Sequence, residues 1–192
     1  MNKIIVTLSI LFISFTYSCK NQNKKTEETS TTKATVIPDN EKSKTLTITL
    51  EPKSNSNVTG KITFTQNNNK VAMVANLTGL KEGEHAIHIH EKADCSSDDG
   101  KSAGGHWNPT FEKHGKWGDK DGYHKGDIGN FIADNNGNSE IKFSTNEWCL
   151  GCEDPKKNIL GKGIIVHEGV DDFTSQPSGN AGARVSCAGI IE

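Results

Sequence analysis

Six of the seven histidines in this chain fall in three short stretches, and one of those stretches also ends on an aspartate. From His106 the chain reads His-Trp-Asn-Pro-Thr-Phe-Glu-Lys-His-Gly, then Lys-Trp-Gly-Asp-Lys-Asp-Gly-Tyr, then His-Lys-Gly-Asp, ending at Asp127. His106, His114, His124 and Asp127 are four potential ligands in a segment with no helical or alternating apolar period. A loop of this length without secondary structure is usually functional or disordered. Three imidazoles and one carboxylate are a set that closes a tetrahedral zinc site, and bound metal would give the loop a reason to be ordered. Taken alone, the same stretch also reads as a polar surface loop with scattered histidines.

The second stretch, His88-Ile89-His90, lies inside a strand pattern running from Glu84 to Glu91. Side chains two apart on a strand share a face, roughly 7 Å from one another. Ile87 and Ile89 therefore enter a core, and His88 and His90 point together toward whatever covers the other face. Paired imidazoles so placed form a bidentate metal site, although two outward polar residues on a half-exposed strand are the commoner meaning of such a pair. His167 ends another apolar run and is ambiguous by itself.

The elements that must position these groups are strands. From Thr45 the apolar period is two: Leu46, Ile48 and Leu50 alternate with Thr47, Thr49 and Glu51, and Ile62 and Phe64 alternate with Lys61, Thr63 and Thr65. Val71, Met73, Ala75 and Leu77 repeat the rule, with Asn- and Gly-rich turns between the runs. Asn130 to Asp134 and Ser139 to Phe143 flank Asn135-Asn136-Gly137-Asn138, which predicts a hairpin. Ile164 to His167 and Arg184 to Ile191 supply the last strands, and no segment has a helical period. Short strands at this spacing predict an all-β, antiparallel β-sandwich or Greek-key barrel.

Before Thr45 the chain changes character. Residues 1–18 carry Lys3, an apolar run from Ile4 to Tyr17 and a small Ser18, the pattern of a secretory signal peptide too short to persist as a membrane-spanning helix. Cys19 follows, as in bacterial lipoprotein signals, where that cysteine becomes the lipidated N-terminus. The remainder of 19–44 is rich in Lys, Thr, Asn, Ser and Glu, buries too little apolar surface to offset ordering, and reads as a disordered tether. Residues 45–192 form the folded domain. It holds 15 Lys and Arg against 20 Asp and Glu, with no basic stripe, which argues against nucleic acid as a partner.

Six fragments in order resemble the copper–zinc superoxide dismutase family: Gly-Glu-His-Ala-Ile-His-Ile-His-Glu at 83–91, Gly-Gly-His-Trp-Asn-Pro at 104–109, Lys-His-Gly at 113–115, His-Lys-Gly-Asp-Ile-Gly-Asn at 124–130, Val-His-Glu at 166–168, and Gly-Asn-Ala-Gly-Ala-Arg-Val-Ser-Cys at 179–187. The resemblance spans 45–192. It implies an eight-stranded antiparallel Greek-key barrel, immunoglobulin-like, with long metal-binding and electrostatic loops. It also implies one copper and one zinc per chain. Copper would be held by His88, His90, His106 and His167, and zinc by His106, His114, His124 and Asp127, with His106 shared. Imidazoles suit both oxidation states of copper, and zinc, without redox chemistry, anchors and polarises.

By the same resemblance Asp171 orients one histidine of each metal, His85 packs and hydrogen-bonds, and Arg184 docks the superoxide anion. The implied reaction is 2 O₂⁻ + 2 H⁺ → O₂ + H₂O₂, with His106 carrying a proton and the 168–183 loop walling the channel. Ser178 stands where the family often has Thr. Arg184 is the sole arginine, so Lys125 is a candidate for further attraction of the anion to an acidic domain. Cys95 and Cys187 match the family's disulfide. Cys149 and Cys152 match no family role and are expected to pair locally, since a Cys-x-x-Cys outside a thioredoxin-like context is weak evidence for redox activity. The expected setting is antioxidant defence in the cell envelope, with the domain tethered by a lipid on Cys19 to a bacterial membrane, in the periplasm or at the cell surface. A homodimer is left open. A metal-buffering or copper-delivering lipoprotein is the competing function, disfavoured because storage needs no anion-docking arginine. A structural adhesin would leave the histidines unexplained.

Overall fold

The computed structural model describes residues 43–192. The expected signal peptide, Cys19 and nearly all of the expected tether therefore lie outside the described residues. Eight strands follow one another: β1 (Lys44–Pro52), β2 (Thr59–Asn67), β3 (Lys70–Thr78), β4 (Gly83–His90), β5 (Gly129–Ala133), β6 (Ser139–Thr145), β7 (Gly163–His167) and β8 (Arg184–Gly189). All pairings are antiparallel, in the order β5-β4-β7-β8-β1-β2-β3-β6. The two edge strands, β5 and β6, are consecutive in sequence, so the short link between them brings the sheet's ends back together into a nearly closed Greek-key barrel. Among the described residues the helical content is one 3₁₀ turn, Lys101–Ala103.

The predicted hairpin is half right. Its turn forms, with the Asp134 N–H donating to Asn138 O at 2.9 Å and Gly137 at φ 75°. No ladder joins its strands, because β5 pairs with β4 and β6 with β3. The turn is a corner of the barrel: Leu80 N–H donates to Gly137 O at 3.1 Å, tying it to the β3–β4 connection and splaying the strands.

Alternation is cleanest in β3, where Val71, Met73, Ala75 and Leu77 are buried and the residues between them are not. These join Ile62, Phe64, Ile87, Ile89, Ile164 and Val166 in one core. β4 and β7 behave differently, for both of their faces are buried from His85 to His90 and from Gly163 to His167. Their inner face fills the barrel. Over the outer face of β7, Ile165 packs with Ala103, Cys187 and Cys95 in a second small cluster. The long connections, 91–128 between β4 and β5 and 168–183 between β7 and β8, supply the roof. Beneath that roof lie the histidines.

Two disulfides close segments of this framework. Cys95–Cys187 ties the long connection to β8, and Cys149–Cys152 closes a short ring after β6, as expected for both.

Candidate metal centre

β4 presents His88 and His90 on its covered face, both fully buried. His106 is brought to them by a single antiparallel bridge, His90 opposite His106, flanked by Glu91 N–H to Gly105 O at 3.0 Å and Trp107 N–H to Ile89 O at 2.8 Å. His167 ends β7, the strand next to β4. A β-bulge between Val166 and His167 shifts the register so that Arg184, rather than Val185, lies opposite His167. Bulges re-aim side chains, and this one brings the guanidinium to the histidine cluster. The imidazoles crowd together: ring centroids lie 4.1 Å apart for His88 and His106, and 4.9 Å for both His90–His106 and His88–His167.

The second group forms on the other side of His106. Asp127 is fully buried, and its carboxylate accepts from His106 Nδ1 at 2.8 Å and from the backbone N–H groups of His124 at 2.8 Å and Gly115 at 3.2 Å. The Nδ1 atoms of His114 and His124 also approach it, at 3.0 and 3.2 Å. Those two approaches lack hydrogen-bond geometry, and both nitrogens remain without a partner. Ligand atoms about 2.0–2.1 Å from one tetrahedral zinc are roughly 3.3 Å from each other. The spacing is that of ligands around an ion.

Six buried histidine nitrogens have no hydrogen-bond partner: Nδ1 of His88, His114 and His124, and Nε2 of His90, His106 and His167. A buried polar atom left unpaired is costly, so six converging in one place require an occupant. The opposite nitrogens explain which atoms are free. His88 Nε2 and His114 Nε2 each donate at 2.8 Å to a different oxygen of Asp171, while His90 Nδ1 donates to Gly104 O at 3.0 Å and His167 Nδ1 reaches Gly182 O at 3.5 Å. Partners of this kind fix each ring's orientation and tautomer. Within each of the sets His88/His90/His106/His167 and His106/His114/His124/Asp127, the candidate ligand atoms all lie within 4.8 Å of one another, and His106 belongs to both. The residues fit two metals joined through one imidazole.

Electrostatics favour the neutral ring at His90, His106 and His167. Burial, reinforced by neighbouring imidazoles, holds His90 and His167 well below the usual histidine range. Burial likewise lowers His106 to about 4, against the opposing pull of Asp127. His114 goes the other way, to about 9, because the carboxylates of Asp127 and Asp171 outweigh its burial. Asp127 and Asp171 are held far below the carboxylate range by the histidines bonded to them, although burial pushes the other way.

Beyond the histidines, a pocket is lined by His90, His106, His167, Ser178, Asn180, Gly182 and Arg184. Arg184 is half-buried there and its Nη1 donates to Gly100 O at 2.9 Å. Lys125 is not among the pocket's lining residues. Its ammonium is paired with Glu147 and sits 5.2 Å from the Tyr123 ring centre, so the expectation that it attracts the anion is corrected. His85 lies between the carbonyl oxygens of Lys81 at 2.8 Å and His167 at 3.1 Å, the packing role expected of it.

Several supporting residues were not singled out from sequence. Asn130 brackets the backbone of Asp171, donating to its O and accepting from its N–H, both at 2.9 Å. Gln176 does the same for His114. Gly179, at φ +68°, leaves no room for a side chain, since a Cβ would stand 1.9 Å from Asp171 Oδ1. Asn130 and Gly179 sit in the fragments that carry the family resemblance, but nothing in their types indicates what they touch.

Comparison with known proteins agrees with this geometry. The copper/zinc superoxide dismutase family profile matches residues 58–190. The chain is 39% identical over 145 residues to an extracellular superoxide dismutase of Drosophila melanogaster, covering 71% of this chain and 77% of that protein. It is 36% identical over 138 residues to superoxide dismutase 2 of Aquifex aeolicus, covering 70% and 79%. A crystal structure of a superoxide-dismutase-like protein from Bacillus subtilis superposes with a TM-score of 0.67 at 30% identity, covering 76% of this chain and 97% of that one. With its barrel, its paired histidine clusters and these relatives, the chain belongs to the copper/zinc superoxide dismutase family, enzymes that use copper and zinc to dismutate superoxide.

Proposed function

We propose that copper is held by His88, His90, His106 and His167, that zinc is held by His106, His114, His124 and Asp127, and that His106 and Arg184 are the catalytic residues. The observation that carries this reading is the convergence of six unpartnered imidazole nitrogens on two overlapping sets that share His106. When bound, copper supplies the electron-transfer couple and zinc a fixed positive charge. The chain does the rest. Arg184 offers parallel guanidinium donors to a small diatomic anion and stays charged, while its bond to Gly100 O fixes where those donors point. The pocket walls from 178 to 182 limit what enters beside them.

His106 Nε2 is the atom at which a proton can be held and returned. Its other nitrogen faces Asp127, so the ring keeps its place while Nε2 takes a proton from solvent in one half of the cycle and gives it, in the other, to the departing peroxide, whose second proton comes from water. Asp171 keeps His88 and His114 oriented throughout. Metal content tests the assignment: His106→Ala should lower both metals, and His167→Ala chiefly copper. Unchanged occupancy of both metals in His106→Ala contradicts it.

Two disulfides suit an oxidising compartment and support a secreted domain. We assign the chain a lipid on Cys19 that tethers it to a bacterial membrane, on the strength of the apolar run and Ser18-Cys19. Cys19→Ser should move the enzyme out of the membrane fraction with unchanged specific activity, and retention on membranes would refute the lipid.

A further inference from the structure

The turn from His124 to Asp127 holds two of the four groups assigned to zinc, and it is gripped from both sides. On its inner side Gly126 wedges between strand and loop. Ile89 N–H donates to Gly126 O at 2.9 Å, Gly126 N–H donates to Trp107 O at 3.0 Å, and a Cβ on Gly126 would stand 2.2 Å from Ile89 O. That grip ties the turn to the strand bearing His88 and His90. On its outer side the carbonyl of Lys125 receives the indole N–H of Trp148 at 2.8 Å. Trp148 is buried against Trp117 and Phe143, with ring centres 5.7 and 5.0 Å away. Beside it Glu147 accepts from the Tyr123 hydroxyl at 2.7 Å and pairs with Lys125. The residue after Trp148 is Cys149, bridged to Cys152. The backbone of Cys149 is also clamped, N–H to Lys157 O at 2.8 Å and O from Ile159 N–H at 3.1 Å.

We propose that Trp148, anchored by the Cys149–Cys152 ring, is a positioning residue for zinc: its indole N–H pins the Lys125 carbonyl and so sets where His124 and Asp127 stand. This gives the ring a purpose that redox chemistry does not supply, since it fixes the segment from which the indole reaches across to the loop. The inference rests on the assignment of His124 and Asp127 to zinc. Removing the N–H leaves a carbonyl without its partner and frees the outer side of the turn. The inner grip on the β4 strand stays, so the copper set is spared.

The test uses full-length protein loaded with both metals, as wild type, Trp148→Phe, Cys149→Ala/Cys152→Ala, and Ile62→Val as a core control that leaves the indole hydrogen bond and the disulfide intact. Zinc release to a colorimetric chelator is timed well below the unfolding temperature, with copper followed by its visible absorption and Tm measured alongside. Trp148→Phe should release zinc roughly 10-fold faster or more, within the range seen when outer partners of metal ligands are removed. The double cysteine variant should show a smaller acceleration. Both should retain copper, and Ile62→Val should lower Tm with zinc release unchanged. Release from both variants at the wild-type rate, or acceleration in Ile62→Val equal to theirs for the same loss of Tm, overturns the inference while leaving the zinc assignment standing. Wild type that binds no zinc, or His124→Ala that keeps it, overturns the assignment and the inference together.

Discussion

Replacing Cys95 and Cys187 by alanine tests how the long connection over the histidines is held. The bridge spans 92 residues of sequence. In the chain-entropy relation a loop of that length restricts the unfolded chain by about 16 cal/mol/K, or about 4.7 kcal/mol at 25 °C. Small domains have about 5–15 kcal/mol in total, so the metal-free variant should be close to its folding limit. Beyond the bond itself, the native state loses the packing of the Cys187 sulfur, which is buried in a small cluster with Ala103 and Ile165. The assay is equilibrium urea unfolding of the metal-free protein, wild type against variant. The midpoint should fall sharply and the slope m should rise, because an uncrosslinked unfolded chain exposes more surface. A functional signature accompanies it. Gly100, whose carbonyl receives Arg184 Nη1, lies in the segment the bridge secures, so activity at equal metal content should drop as well. A loss below about 2 kcal/mol with an unchanged slope would refute the entropic account.

Three further outcomes are expected. Arg184→Lys should keep part of the activity, Arg184→Ala less and Arg184→Glu least, at constant copper content and with salt sensitivity shrinking as the local charge falls; equal activity across the series removes Arg184 from the mechanism. Asp171→Asn leaves one amide N–H facing a histidine N–H, so affinity for both metals should fall roughly 10- to 100-fold in chelator competition, and unchanged affinity would mean that the carboxylate does not orient His88 and His114. Metal-free protein should be acid-sensitive: His106, buried and lowered to about 4, is neutral in the fold while an unfolded histidine takes its proton near 6.5, so stability is lost as pH falls from about 6.5 to about 4. His114, raised to about 9, has the opposite sign, and its contribution is present below about 6.5 and fades as pH rises through 9; urea midpoints at pH 7, 5 and 4 that do not decline would contradict the buried neutral state.

How much of this was legible depended on whether a contact was local. Period-two alternation was plain in β3, because one face meets the core and the other meets water. It could not show that β4 and β7 are buried on both faces, since their cover comes from loops remote in sequence. The Asn135–Asn138 turn was readable, but the divergence of its strands was not, because the barrel's closure and the Leu80–Gly137 bond decide it. Ligand residues stood out by type and number. Their supports did not: Gly104 and Gly182 act through carbonyls that every residue possesses, and Asn130 and Trp148 reach partners 41 and 23 residues away. Lys125 was misread for the same reason, as its charge is visible in sequence and its pairing with Glu147 is not.

The most direct test of the central claim joins metal analysis to a superoxide dismutation assay on the purified domain, residues 45–192. The account predicts one copper and one zinc per chain, with activity that rises in proportion to copper and is abolished when copper alone is removed. A domain that fills both sites and yet fails to dismutate superoxide, or one that dismutates it without copper, would contradict the account.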